Sequence, residues 1–209
     1  MRIFLLVVQL LLAFVTVHAQ TYEITSVNVS GSGCPVGSVG VTLSPDLKSI
    51  SILFDKFAQS AVKGNNSIAS LRKSCQFRLG VHVTPGYNLE ATTLQYRGFT
   101  DLPVGVKASV ATSGPILRAS RFVGNQNAIS SVFSSVTDNF FIEHKIMQNF
   151  KQSCQNQTAI IFDTTLVLSG QSNRFTNIFP RDSQIVIDSL DSGPNSSPVE
   201  LGVQLTPCQ

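Results

Sequence analysis

Apolar and polar residues alternate with a period of two along much of this chain, the spacing that gives a β-strand one apolar face. The stretch Gly31 to Phe57 shows it best. Val39, Val41 and Leu43 alternate with Ser38, Gly40 and Thr42, and Ile50, Ile52 and Phe54 alternate with Ser49, Ser51 and Leu53. Between them stands Ser44-Pro45-Asp46. Proline presets φ for the second position of a type I turn, and the Ser and Asp side chains can bond nearby backbone amides. The stretch predicts an antiparallel hairpin over 38–57 with one buried face.

The same reading predicts about ten strands in all. Tyr22 to Val29 is the first, with its alternation slipping between Ile24 and Val27 as at a bulge. Residues 58–74 break the pattern and read as a long surface loop with room for one helical turn. Phe77, Leu79, Val81 and Val83 share a face, Pro85-Gly86 turns the chain, and Thr92, Leu94 and Tyr96 share the next face. Val104 to Val110 is a strand closed by Ser113-Gly114-Pro115, and 116–123 is a mixed strand. Residues 124–136 carry no strong pattern. Strands follow over 140–146, 160–168 and 183–190, then a Ser/Pro/Gly/Asn loop over 191–198, then Val199, Leu201, Val203 and Leu205 on one last face. Short strands punctuated by turns, without a sustained helical period, argue an all-β antiparallel two-sheet β-sandwich, with a closed β-barrel as the alternative.

Residues 1–19 read as a signal peptide: Arg2, an apolar core from Ile3 to Val15, and Val17-His18-Ala19 as a small-residue cleavage site. The expected mature chain, residues 20–209, reads as one secreted domain with no further membrane segment. Lys and Arg number 15 against 12 Asp and Glu, a net charge of +3 that falls to +2 without Arg2. Spread without runs, that balance argues against nucleic acid as a partner. Four cysteines, Cys34, Cys75, Cys154 and Cys208, predict two disulfides, and none forms the CxxC pair of a zinc or redox site. Sequons at Asn28, Asn65, Asn156 and Asn195 predict N-glycans, with Asn65 and Asn195 in the clearest loops.

GSGCPVGSVGVTLSPD, the ILFDKF run, RKSCQFRLGVHVTPGY and LQYRGF together resemble the domain-of-unknown-function 4360 family of small secreted proteins. The resemblance covers roughly Gly31 to Leu168. It weakens after Val123, where NQNAISSVFSSVTDNFFIEHKIMQNF replaces a short glycine-rich stretch and an aspartate. It implies secretion and a β fold, and no activity. Cys154 resembles the family's third cysteine, and Cys208 looks like an addition. With that addition near one end, Cys34–Cys208 with Cys75–Cys154 is the favoured pairing, and the sequential pairing Cys34–Cys75 with Cys154–Cys208 is nearly its equal.

Candidate chemistry is sparse. His18 departs with the signal peptide, leaving His82 on the polar face of its strand and His144 on an apolar face with Phe140, Ile142 and Ile146. No nucleophile-elbow motif accompanies either. Glu23, Glu90, Glu143 and Glu200 are scattered, and Asp101, Asp138, Asp163, Asp182, Asp188 and Asp191 lack calcium-loop spacing, Asp188 and Asp191 coming nearest. No catalytic residue, cofactor or metal is expected. Sugar binding suits a secreted sandwich better. Trp is absent, so Tyr87, Tyr96 and Arg97 are the candidate ligand contacts, with Tyr96 as packed core the plainer reading. The expectation is a non-enzymatic extracellular binding or structural module whose partner is a glycan or a cell-surface protein. A polysaccharide hydrolase or lyase and a secreted effector are the alternatives.

Overall fold

The structure is a computed structural model that describes residues 21–55, 57–64, 66–67, 70–118, 129–146, 154, 156–173, 176–187 and 199–208. Its elements are β1 (Tyr22–Ser30), β2 (Val39–Leu43), β3 (Ser49–Phe54), β4 (Ala58–Ala61), β5 (Asn66–Ser67), β6 (Leu71–Val83), β7 (Tyr87–Asp101) and β8 (Lys107–Arg118). Then come β9 (Ile129–Ser134), β10 (Thr137–Lys145), β11 (Gln157–Ser169), β12 (Gln171–Asn173), β13 (Thr176–Ile178), β14 (Ser183–Ile187) and β15 (Val199–Pro207).

A five-stranded sheet runs in the order β1-β6-β11-β8-β9. The seven-stranded sheet branches at β7. β10 lies along one edge of β7; on the other, β15 pairs with its first part and β14 with its last residues. β3 and β2 extend outward from β15, and β4 from β14. β12, β13 and β5 make a small third sheet. The two large sheets are antiparallel and face each other across an aromatic core. Phe77 and Phe162, paired on neighbouring strands, stack at 4.8 Å, and Phe54 of the opposite sheet meets Phe77 edge-on at 5.3 Å. Neither sheet closes on itself, so the fold is the two-sheet sandwich that the alternation dictates.

Several local expectations are corrected. The pattern-poor 58–74 contains β4, β5 and the start of β6. β4 was obscure because Gln59 and Ala61, not large apolar residues, form its buried face. Likewise β9 lies inside 124–136, with Ser131 and Phe133 half-buried and Val132 exposed. Ser113-Gly114-Pro115 does not close a strand. β8 continues to Arg118, and Gly114, at φ +94°, marks a bulge where the register with β11 shifts between Ile161 and Asp163. A Cβ there would lie 2.7 Å from the Ile161 carbonyl oxygen, which is why glycine occupies the position. A second bulge sits in β7: Gly202 faces Thr93 while Val203 faces Ala91, so Thr92 is the extra residue and leaves the face that Leu94 and Tyr96 share. The slip expected in β1 is present between Ile24 and Ser26.

The favoured cysteine pairing is also corrected. Cys34 bonds Cys75, and Cys154 bonds Cys208. The topology explains it. β1 runs antiparallel to β6 with Ser30 opposite Gln76, so the chain leaving β1 meets Cys75 directly, and Gly33 donates its N–H to the Ser74 carbonyl at 2.8 Å. At the opposite end, β6 turns into β7 through Thr84-Pro85-Gly86 and so passes from one sheet to the other. Asn156, ahead of β11, accepts from Val83 N–H, and Cys208, after β15, donates to Gly86. Cys154 and Cys208 therefore flank the same inter-sheet turn.

Candidate functional site

The outer face of the seven-stranded sheet carries the richest chemistry. Leu94 and Tyr96 of β7, Ile142 and His144 of β10, and Val199 and Leu201 of β15 are buried, so their alternating neighbours point outward. The registers then align them in rows across the strands. One row is Thr42, Ser51, Glu200, Gln95 and Glu143, in which Gln95 donates to the Glu143 carboxylate at 2.8 Å. The next row toward the β14 end sets Arg97 beside Phe141, the guanidinium 4.7 Å from the ring centroid. The row on the other side is Ser49, Gly202, Thr93 and Lys145.

In that last row the surface opens into a cleft of about 660 Å³ between the β2–β3 turn, β15 and the bulge in β7. Gly202 fits there because it has no side chain: a Cβ at this position would collide with Thr93 Oγ1 and lie 2.9 Å from Thr92 Oγ1, so the two threonine hydroxyls close over the glycine. Glu200, Gln204, Ser49 and Lys48 also line the cleft. The Glu200 side chain makes no hydrogen bond or ion pair among the described residues, so its carboxylate is available to a ligand. Asp46, on the rim, is committed. It accepts from Ser44 Oγ at 2.7 Å and from Lys48 N–H at 3.1 Å, and these bonds hold its carboxyl below the usual carboxylate range.

Of the three candidate ligand contacts, Arg97 is exposed on this face and Tyr87 is half-buried at the rim beside Pro207, where other contacts engage it. Tyr96 is not a surface contact. It is fully buried, and its hydroxyl reaches Thr112 and Thr164 of the opposite sheet. His82 faces solvent 3.7 Å from Glu23. His144 is buried against the Tyr96 ring with Nε2 3.3 Å from Ser131 Oγ, and burial lowers its pKa. Four other carboxylates have structural partners: Asp101 with Arg181 and Thr137, Asp163 with Gln76, Asp182 with the Lys63 N–H, Glu90 with Thr206. Asp138 accepts from the N–H of Asn139. Asp188 and Asp191 lie outside the described residues, as do the sequons' Asn65 and Asn195. Asn28 and Asn156 are exposed.

Residues 20–188 match the family model of DUF4360, a domain of unknown function. This chain belongs to that family. An uncharacterised secreted protein of Arthroderma benhamiae is 30% identical over 87 residues, 42% of this chain and 35% of that protein, so the match spans about a third of the relative's length. The solved structure of TmCBM61 in complex with beta-1,4-galactotriose covers 88% of this chain and 90% of its own, at 11% identity and a TM-score of 0.30, too low to relate the two in function. This DUF4360 chain is a secreted, extracellular protein, in keeping with its two disulfides and its secreted relative.

The cleft residues were missed in the sequence, although one signal was there. Gly202 interrupts the polar face of an otherwise regular strand, and a glycine inside a strand marks a bulge or a close approach.

Proposed function

We propose that this protein is a non-enzymatic extracellular module that binds a polysaccharide on the outer face of its seven-stranded sheet. The observation that carries the reading is the Gly202 cleft. Its free Glu200 carboxylate, Gln204 carboxamide and Thr92 and Thr93 hydroxyls supply the acceptors and donors that sugar hydroxyls bond. Charge on this face is close to balanced, with Lys48, Arg97 and Lys145 against Asp46, Glu90, Glu143 and Glu200. That favours a neutral glycan over an acidic polymer. Hydrolysis would need a carboxyl kept protonated beside a second one. Asp46, the carboxylate sharing the cleft with Glu200, is held in the ionised form, the opposite of an acid catalyst. On this reading residues 1–19 are a cleaved signal peptide, and N-glycans decorate the chain.

The test is a glycan array followed by titration calorimetry and a turnover assay. The expected result is binding of neutral polysaccharide without turnover. Glu200→Ala and Gln204→Ala each weaken binding about three- to tenfold, as for one lost hydrogen bond, with an unchanged melt. Turnover of the bound glycan, abolished by Glu200→Gln, overturns the reading.

A further inference from the structure

We propose that the site is extended: a linear, neutral, β-1,4-linked chain lies along β7, from the Gly202 cleft to a stacking subsite at Phe141. This rests on the glycan-binding reading and adds the shape of the ligand and a second subsite.

Three observations carry it. First, Phe141 is an exposed aromatic in mid-strand, with 52% of its surface in solvent, on the same face as the cleft. Its ring is held rather than loose, because Arg97 covers one face at 4.7 Å, and the half of its surface still in solvent is what a sugar can meet. A fixed ring loses little freedom when a sugar packs its C–H face against it. Second, the row between cleft and ring is hydrophilic. Glu200, Gln95 and Glu143 stand side by side there, and the Gln95–Glu143 bond leaves carboxylate lone pairs unused. Third, the rows are evenly spaced on regular strand. Thr93, Gln95 and Arg97 follow one another at every second residue of β7, so cleft and ring lie about 13 Å apart along the strand. One sugar cannot reach both, whereas a chain of several can. A β-1,4-linked chain of equatorial pyranoses is an extended ribbon, with hydroxyls along its edges and C–H patches on its faces. That is the complement of a flat face with polar groups in line and one aromatic at the end. A helical α-linked chain cannot lie flat on it.

Titration calorimetry with β-1,4-linked gluco-, manno- and xylo-oligosaccharides of two to six residues tests the proposal. Affinity for at least one series is expected to rise with length and level off once the chain spans both subsites. Phe141→Ala should weaken the hexasaccharide roughly three- to tenfold, the size of one aromatic contact, while leaving the disaccharide unchanged. Phe141→Tyr should retain the gain with length, and Arg97→Ala, which frees the ring, should lose part of it. A hexasaccharide that binds no tighter than the disaccharide, or a Phe141→Ala loss equal at every length, overturns the extended site and leaves the cleft standing. Failure of all three series to bind, with α-linked maltohexaose binding instead, overturns the ribbon ligand. Failure of every glycan overturns both this and the reading on which it rests.

Discussion

The Tyr96 hydroxyl lies 2.7 Å from Oγ1 of Thr164, on the opposite sheet, in the middle of the core. Thr112 Oγ1 is equally close, and Thr112 and Thr164 are direct cross-strand neighbours. The phenol thus caps a pair of threonines that would otherwise be stranded in an apolar interior. Burial pushes its pKa well above the ordinary value, so it stays a protonated donor. Tyr96→Phe should cost about 1–3 kcal/mol, because it leaves buried hydroxyls without a partner. Urea denaturation of the two proteins checks this. A stability equal to the parent would mean that the threonines satisfy each other. Glycan affinity should not change, since Tyr96 touches no solvent.

The two disulfides close loops of similar span, 41 and 54 residues. Chain entropy alone assigns each about 4 kcal/mol. They differ in access. Cys34 and Cys75 are fully buried, whereas Cys154 is exposed and Cys208 half-exposed. Mild reductant on the native protein should open Cys154–Cys208 first, giving two alkylated thiols at 154 and 208 by peptide mass spectrometry. Equal labelling of all four cysteines at early times would contradict this. Peptide mapping of the unreduced protein should likewise return Cys34 joined to Cys75.

His144 gives the sandwich a pH-dependent seam. Its ring, on β10, faces the Tyr96 ring of β7 and Ser131 of β9 on the other sheet; Glu143 and Lys145 beside it point outward. Its Nδ1 is buried without a hydrogen-bond partner among the described residues. Burial holds the pKa below its ordinary 6.5, so between the folded value and 6.5 the unfolded chain binds more protons than the folded one. Stability is therefore full above about 6.5 and declines as pH falls from there through the folded value. Melting temperatures from pH 8 to pH 5 should show the decline in the parent and a much shallower one in His144→Gln. Parallel curves would assign the effect to other groups.

N-glycans are expected at Asn28 and Asn156, both exposed. Asn28 sits on β1, the terminal strand of its sheet, and a glycan there would shield an edge that could otherwise pair with a second chain. Enzymatic deglycosylation should reduce the mass of protein from a eukaryotic secretory host and convert both asparagines to aspartate. Unmodified Asn28 in the intact protein would refute its assignment.

What could be read from the sequence was whatever large apolar residues announce at period two. Val39 to Phe54, Phe77 to Val83 and Val199 to Leu205 declared both their strands and their faces. β4 stayed hidden because Gln59 and Ala61 occupy its inner positions, and β9 because Ser131 stands beside Phe133 on its inner face while the apolar Val132 points out. Disulfide pairing depends on which strands become neighbours, and a count of cysteines carries no such information. The cleft escaped for a related reason. It exists only where Gly202 meets the Thr92 bulge on another strand, and neither residue signals the other along the chain.

β15, the latest of the described strands to be synthesised, lies between β3 and β7 in its sheet. All five strands of the smaller sheet fall between residues 22 and 169, so that layer can assemble while the chain is still being translocated. The larger layer cannot, because the β2–β3 hairpin stays detached from β7 until residues 199–207 arrive to bridge them. Cys154 has to wait for the same event, since its partner follows β15 directly. A chain with an unfinished larger layer thus carries Cys154 without its partner, while Cys34 and Cys75 already have each other. The redox state of one cysteine then reports whether the last layer has been laid down, and secretory quality control that retains free thiols would hold back unfinished molecules.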